Sequence, residues 1–108
     1  MYEQKQYYTY ILASKPNGIL YIGFSGDLKT RMYQHINEEY EGFTKKYHVK
    51  RLVYCEMFDD PSEGIRREKC LKKWRRKWKI ALIEKYNPGW TNLFKDGEIL
   101  PLPIEKTL

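Results

Sequence analysis

At 108 residues, the chain has room for one compact domain and none for a second core. Hydrophobic residues make up 42% of the sequence and charged residues 31%, which excludes the apolar-poor composition of a disordered chain. The net charge of +6 favours an anionic partner, with nucleic acid ahead of an anionic membrane surface.

The two cysteines, Cys55 and Cys70, stand alone, with no CxxC pair and no histidine at zinc-ligand spacing. We therefore expect reduced thiols in a cytoplasmic protein. No apolar run approaches the roughly 20 residues of a membrane span, and the first residues lack the apolar core of a signal peptide. These features predict a soluble, monomeric, intracellular protein.

The N-terminal part of the chain predicts a β-hairpin. Residues 7–13 and 19–25 are rich in tyrosine and aliphatic residues, and an Asn-Gly turn at residues 17–18 separates them. Side chains alternate between the faces of a sheet, so a loop of even length puts Tyr10 and Tyr21 on the same face. A loop of odd length separates them.

A helix is predicted from residue 28 to about residue 39, with Asp27 as its N-cap. Arg31 and His35 lie four positions apart and share one stripe of this helix. The side chains expected in the neighbouring, buried stripe are Leu28, Met32 and Ile36.

The middle of the chain predicts a basic loop and then a third strand. Residues 41–48 form the loop, in which Thr44 and two adjacent lysines can reach a backbone phosphate. Residues 51–58 are mainly apolar, which favours a strand in a central or well-covered position.

A further helix begins at Pro61, with Asp60 as its N-cap. It runs to Lys73 or bends near Trp74 into a second helix that ends at Tyr86, before an Asn-Pro-Gly stop. The residues after this stop that are expected to pack back on the core are Trp90, Leu93 and Phe94.

Together these elements predict an α/β (α+β) fold, in which a small three-stranded, mainly antiparallel sheet is flanked by helices. One domain is expected over residues 1–108, with its core at about 7–94. Residues 95–108 are expected to form a C-terminal tail that Pro101 and Pro103 keep irregular.

Glu68 is the single acid within a strongly basic stretch. It lies three positions from both Ile65 and Leu71, on or beside the apolar face of its helix, where an ionised carboxylate needs a partner or a metal. Two interpretations stay open: an ion pair with Lys72 or Arg75 along the helix, or a Mg²⁺ ligand acting together with water and substrate phosphate.

The basic run at residues 72–79 contains Trp74 and Trp78 at helical spacing, so the tryptophans are expected to face inward and the cations outward. This surface is either an ordinary solvated face or a contact for a polyanion. The residues predicted to contact nucleic acid are Lys45, Lys46, Lys72, Lys73, Arg75 and Arg76.

Several polar residues that singly fit packing or solvation form a recognisable order along the chain. The order is Tyr8-Thr9-Tyr10, Tyr21-Ile22-Gly23, Arg31, His35, Glu68 and a trailing asparagine. It resembles the GIY-YIG nuclease family, and in particular its small stand-alone bacterial members. The second triplet matches letter for letter, whereas Tyr8-Thr9 replaces Gly-Ile in the first.

The resemblance implies a metal-dependent DNA endonuclease that is structure-selective and linked to DNA repair or recombination. It assigns Tyr10 and Tyr21 to the reaction centre, one acting on the attacking water and the other bonding the scissile phosphate. Arg31 stabilises the charge of the transition state, and His35 supports the phosphate or shuttles a proton. Glu68 holds one divalent ion, Mg²⁺ or Mn²⁺.

The trailing asparagine of the family corresponds to Asn87 or Asn92. Asn92 is preferred, because Asn87 is already explained by the helix stop. The alternative function is a non-catalytic nucleic-acid-binding module that uses the same basic surface, and a basic surface that docks on anionic membrane is a more distant one. The expected substrate of the enzyme is DNA, and RNA is the alternative substrate.

Overall fold

The computed structural model describes residues 5–39, 42–100 and 102. The elements in chain order are β1 Tyr7–Ala13, β2 Leu20–Ser25, α1 Leu28–Ile36, α2 Phe43–Lys46, β3 Arg51–Phe58, α3 Pro61–Lys73, α4 Arg76–Tyr86, β4 Phe94–Lys95 and β5 Glu98–Ile99. The main sheet is antiparallel, in the order β2-β1-β3, and helices flank it. The predicted α+β architecture is confirmed, while the prediction for Pro101 and Pro103 lies outside the described residues.

The β1–β2 hairpin closes through the predicted Asn-Gly turn. Asn17 adopts a φ of 59°, a left-handed conformation that asparagine tolerates better than most residues. The Ser14 N–H donates to the carbonyl of Ile19 at 3.0 Å, and the Gly18 N–H donates to that of Lys15 at 2.9 Å. The turn is therefore tight, and it sets the register of the two strands.

Both faces of the main sheet are buried. On one face, Tyr10 and Leu12 of β1 pack against α1 and against the segment after α4. On the other face, the alternate residues of β1 pack against α3 and α4, which contribute Leu71 and Ile83. β3 lies at an edge of the sheet, yet its residues 52–55 are buried, as expected for a well-covered strand.

The buried stripe of α1 differs from the prediction at its C-terminal end. Leu28 and Met32 are buried, but Ile36 is 36% exposed and His35 takes the inward position. A step of seven residues returns to nearly the same side of a helix with 3.6 residues per turn, whereas a step of eight overshoots it. The inward residue of the last turn is therefore His35.

The junction between α3 and α4 lies at Trp74 and Arg75, both of which have extended backbone conformations. The helix break predicted near Trp74 is therefore observed, between Lys73 and Arg76. The interruption also resets the helical phase, so the spacing of four no longer keeps both tryptophans inward. Trp74 is partly buried against the core, but Trp78 is 50% exposed, and its predicted inward orientation is wrong.

Two segments predicted as loops contain regular structure. Residues 43–46 form the short helix α2, and β4 and β5 form a second hairpin inside the predicted tail. The turn of this hairpin is Asp96-Gly97, with φ values of 54° and 78°, which is the Asp-Gly signal of a tight hairpin turn. Trp90, Leu93 and Phe94 are buried, as predicted.

Within the described residues, no helix combines the length and the apolar character that crossing a membrane requires. Both cysteines are free thiols, as predicted; Cys55 is buried and Cys70 exposed.

Candidate active site

Tyr10 and Tyr21 lie on the same face of the sheet. In the hairpin register, Tyr21 stands opposite Leu12 and Tyr10 stands opposite Gly23, so the two tyrosines are diagonal neighbours. Their ring centroids are 6.5 Å apart. The prediction that depended on an even loop is confirmed in its geometry, while the catalytic roles of the tyrosines stay predictions.

Gly23 makes room for the Tyr10 ring. A Cβ atom at Gly23 would lie 2.4 Å from Cζ and 2.5 Å from the hydroxyl oxygen of Tyr10, distances that van der Waals contact forbids. The ring crosses over the glycine and is 2% exposed. The observed packing of Tyr10 therefore requires a glycine at position 23.

His35 is buried between the two tyrosines and the α2 helix. Its Nε2 is 3.2 Å from the Tyr10 hydroxyl, and its Nδ1 is 3.3 Å from the Thr44 hydroxyl. The imidazole also packs edge-to-face with both tyrosine rings, with its centroid 6.1 Å from that of Tyr10 and 5.7 Å from that of Tyr21. The histidine, 4% exposed, thus connects β1, α1 and α2 in one hydrogen-bonded chain.

Burial, with a smaller contribution from the positive charge of Arg31, lowers the pKa of His35 to about 4. The imidazole is therefore neutral at pH 7 and carries a single N–H. One ring nitrogen then donates a hydrogen bond and the other accepts one. When Nδ1 donates to Thr44, Nε2 is the acceptor for the Tyr10 hydroxyl.

Arg31 lies one helical turn before His35 on α1 and is partly exposed. Its charge acts on the imidazole. The structure therefore brings four of the predicted residues to one region around the β1–β2 face: Tyr10, Tyr21, Arg31 and His35.

Thr44 has a different position from the one predicted. It was expected to reach a phosphate from a basic loop, but its side chain turns inward, is 8% exposed and bonds His35. The two adjacent lysines of α2, by contrast, point toward the solvent: Lys45 is partly exposed and Lys46 is exposed. A threonine in a polar segment carries no sequence signal for such a contact, so only the fold reveals it.

Glu68 lies on α3, on the opposite face of the sheet from the tyrosines. It is one turn from each of the buried residues Gly64 and Leu71, and its side chain is 19% exposed. Ile65, which was expected to share the apolar face, is 38% exposed. α3 packs on β1 and on the edge strand β2, so Glu68 and the tyrosine cluster flank the same part of the sheet from two sides.

Glu68 also forms the expected ion pair along the helix, with Lys72 Nζ 3.6 Å from its carboxylate. Among the described residues, no three His, Cys, Asp or Glu side chains converge on one point. A single carboxylate nevertheless fits Mg²⁺, which keeps several waters and binds through one or two carboxylates plus substrate phosphates. Glu68 therefore fits a magnesium site in which water and substrate oxygens supply the other ligands. It does not fit a site built from protein ligands alone.

Both candidate asparagines bond the backbone. Asn92 Oδ1 accepts from the N–H groups of Leu52 and Phe94, at 3.2 Å and 3.1 Å. Asn87 is buried, and its amide donates to the carbonyls of Val53 and Thr91, each at 2.9 Å. Each asparagine thus ties the segment after α4 to β3, and a catalytic part for Asn92 stays a prediction.

The predicted nucleic-acid contacts lie on or next to three helices, and several of them already interact with other groups of the protein. Arg76 donates to the carbonyls of Asn17 and Gly18, at 2.7 Å and 2.6 Å, and so holds the hairpin turn against α4. Arg75 lies over the Trp78 ring at 5.5 Å. The remaining predicted cations lie on α2 and at the end of α3: Lys45, Lys46, Lys72 and Lys73.

A partly buried ion pair that the sequence pattern did not predict links β3 to α3. Arg67 donates to both carboxylate oxygens of Glu56 at 3.0–3.1 Å, and the Tyr54 hydroxyl donates to the same carboxylate. The guanidinium also lies 5.1 Å from the Trp74 ring. Burial and this acidic neighbour raise the pKa of Tyr54, which stays protonated as a donor.

The fold and the site define a small α+β domain of a nuclease superfamily, since residues 6–87 match the model of the GIY-YIG catalytic domain. The chain belongs to this GIY-YIG family. The match includes Asn87 and ends before Asn92.

Relatives that this chain matches over almost their whole length support the assignment. A UPF0213 protein of Staphylococcus saprophyticus is 38% identical over 78 residues, covering 72% of this chain and 94% of that protein. One from Staphylococcus haemolyticus is 35% identical over 79 residues, covering 73% and 95%. The solution structure of a UPF0213 protein from Bacillus halodurans has a TM-score of 0.52 and 26% identity, covering 81% of this chain and 92% of that one.

Proposed function

We propose that the chain is a divalent-metal-dependent endonuclease that hydrolyses phosphodiester bonds in DNA. The observation that carries the proposal is the hydrogen-bonded chain from Thr44 through His35 to Tyr10, with Tyr21 beside it on the same face. The neutral imidazole lies within hydrogen-bond reach of the Tyr10 hydroxyl, which is the geometry that a proton transfer between the two groups requires. Membership of a nuclease superfamily supports the same conclusion.

In the proposed reaction, water attacks phosphorus and a new P–O bond forms as the bond to the leaving oxygen breaks. Tyr10 takes the proton of the water and passes its own hydroxyl proton to His35 Nε2. Thr44 fixes the imidazole orientation and favours the tautomer in which Nε2 accepts. The negative phosphate, once bound, raises the pKa of His35 above its value in the free protein and so favours this transfer.

Tyr21 and Arg31 act on the phosphate in this proposal. Tyr21 is partly exposed at the rim of the cluster and donates a hydrogen bond to a nonbridging oxygen. Arg31 stabilises the extra negative charge of the transition state through its planar set of donors. Glu68 would hold the metal with water and substrate oxygens where α3 borders β2, the edge strand that carries Tyr21. The bound ion would neutralise charge on the leaving oxygen.

Cleavage assays on flapped, branched and duplex DNA test the proposal, with Mg²⁺, with Mn²⁺ and with EDTA. We expect metal-dependent cutting of at least one substrate, reduced by about 100-fold or more in Arg31→Ala and in Glu68→Ala. Matched controls are Lys29→Ala on α1 and Glu63→Ala on α3, both exposed and on the same helices. These should cut at the rate of the parent chain.

Cutting that survives both Arg31→Ala and Glu68→Ala would remove the site assignment. DNA binding without cutting of any substrate would leave the non-catalytic binding module as the function.

A further inference from the structure

Three aromatic rings form a ladder that leads from the candidate active site to the solvent. The Phe43 ring stacks on Tyr21, with centroids 6.3 Å apart and ring planes at 29°. Tyr47 follows Phe43 at a centroid distance of 5.0 Å. Phe43 is 46% exposed and Tyr47 39% exposed, and we call these three residues the aromatic ladder.

The ladder is held in a fixed position relative to the site. Thr44, next to Phe43 in the chain, turns inward and bonds His35 at 3.3 Å. The Val49 N–H donates to the Thr44 carbonyl at 2.9 Å, and the Val49 side chain is fully buried. Thr44 and Val49 therefore anchor this segment, while Phe43 and Tyr47 remain available for a ligand.

Positive charge lies directly beside the exposed rings. Lys46 Nζ is 5.3 Å from the centroid of the Tyr47 ring, and Lys45 precedes it on α2. A flat ring next to a cation is complementary to a nucleotide, whose base stacks on the ring while its phosphate meets the charge. The chain's net charge of +6 disfavours a second copy of the protein as the occupant.

We propose that Phe43 and Tyr47 stack an unpaired DNA base next to the phosphate that is cleaved. In continuous duplex DNA, both faces of each base are covered by its neighbours, so a base must leave the helix to reach the ladder. The substrate class is therefore DNA with an unpaired nucleotide at the cut site, such as a flap or a branch. This inference rests on the proposed nuclease function and names its substrate.

Binding measured in EDTA, where the proposed metal-dependent cleavage does not occur, tests the stacking step by itself. Fluorescence anisotropy would compare a labelled short oligothymidine with a duplex of the same length. The variants Phe43→Leu and Tyr47→Leu keep apolar volume but remove the aromatic face. We expect each to weaken oligothymidine binding by about 5- to 100-fold and to change duplex binding by less than about two-fold.

Trp78→Leu is the matched control. Trp78 is also an exposed aromatic beside a cation, but it lies on α4, which packs on the other face of the sheet. Its substitution should leave oligothymidine binding unchanged. Equal oligothymidine affinity in the parent chain and both ladder variants, or a loss in Trp78→Leu alone, would overturn the proposal.

Thermal melts separate the loss of base stacking from a loss of folding, since Tyr47 lies at the outer end of the ladder and contacts Phe43 with its ring tilted by 57°. Tyr47→Leu should melt within a few degrees of the parent chain, at about the shift of a neutral surface substitution. If ladder-dependent binding is seen without any metal-dependent cutting, the nuclease proposal fails and the stacking surface stands. If cutting is seen and the ladder variants cut flapped and duplex DNA as the parent does, the ladder proposal fails alone.

Discussion

At the residue scale, His35 should make the stability of the fold depend on pH. Its pKa is lowered from 6.5 to about 4 in the folded chain. The unfolded chain therefore binds more protons than the folded one between these values, and the free energy of unfolding falls as the pH falls through this window. A shift of this size corresponds to a loss of about 3 kcal/mol when the window is fully crossed.

Urea denaturation of the parent chain and of His35→Gln, at several pH values from 7 to 4, measures this effect. The stability difference between the two proteins should shrink as the pH falls. The hydrogen-bonded carboxylates, such as Asp27 and Asp60, have lowered pKa values, and their contributions are lost mainly below the range where His35 titrates. Parallel pH profiles for the two proteins would contradict a buried, neutral histidine.

A methyl group at Gly23 should disable the site while most of the fold is kept. The Cβ of Gly23→Ala would lie 2.4 Å from the Tyr10 ring, so the ring must move and its hydroxyl must leave the 3.2 Å contact with His35. We expect cleavage to fall by about 100-fold, because misplacing a reacting group by about 1 Å costs that much. Overpacking should also cost about 1–3 kcal/mol of stability.

Gly89→Ala is the control for Gly23→Ala, because its nearest heavy atom would be at 3.5 Å, an ordinary contact. Cleavage rates and thermal melts of both variants give the measurement. A Gly23→Ala protein that cuts as fast as Gly89→Ala would show that Tyr10 does not need its observed position.

Sequence spacing was sufficient to predict some residues of the site and insufficient for others. The Asn-Gly turn determines the loop parity, and the parity determines that Tyr10 and Tyr21 share a face. Thr44 could not be predicted, because its hydroxyl meets His35 only when α2 folds back over α1. The inward position of His35 follows from the helical repeat counted from Leu28, but the apolar side chain of Ile36 favoured the wrong residue.

At the scale of elements, the Glu56–Arg67 ion pair should hold α3 on β3. Arg67 binds both carboxylate oxygens, and the side chains are 28% and 16% exposed. Glu56→Ala leaves the guanidinium without its carboxylate partner in a largely buried position, and we expect a loss of about 2–3 kcal/mol of stability. Urea denaturation measures the change.

The exposed pair between α1 and β5 is a matched comparison. Lys29 Nζ lies 2.9 Å from the Glu98 carboxylate, but the side chains are 51% and 70% exposed. Glu98→Ala should change stability much less than Glu56→Ala does, because water and salt screen such exposed pairs. Equal losses in Glu56→Ala and Glu98→Ala would show that burial does not distinguish the two pairs.

The predictable elements were those with local signals at their ends. Asp27 and Asp60 cap α1 and α3 through their own side chains, as expected. The break at Trp74 carries no glycine or proline, so its position depends on tertiary packing of the tryptophan. The β4–β5 hairpin did carry an Asp-Gly signal, but two-residue strands are too short to show an alternating pattern.

At the scale of the whole molecule, the tyrosine cluster and the basic end of α3 lie on opposite faces of one thin sheet. DNA that touches both must pass around an edge of the sheet, which is β2 on one side and β3 on the other. This arrangement limits how many cations contact phosphate at once. Lys72 is paired with Glu68, and Arg76 is bonded to the hairpin turn.

We therefore expect a moderate salt dependence of DNA binding. Each phosphate contact contributes a slope of about −0.9 in a plot of log affinity against log salt for duplex DNA. Three or four contacts from the six predicted cations give a slope of about −3 to −4. Anisotropy titrations of duplex DNA in EDTA over a range of salt concentrations provide the slope.

Lys73→Gln should reduce the size of this slope by about one, because Lys73 is exposed at the end of α3 and is one of the predicted phosphate contacts. Lys95→Gln removes an equal charge from the exposed side of β4 and should leave the slope unchanged. The two variants have the same net charge, so a difference between them measures position and not total charge. Equal slopes in the two variants would mean that the chain attracts DNA only through its overall charge.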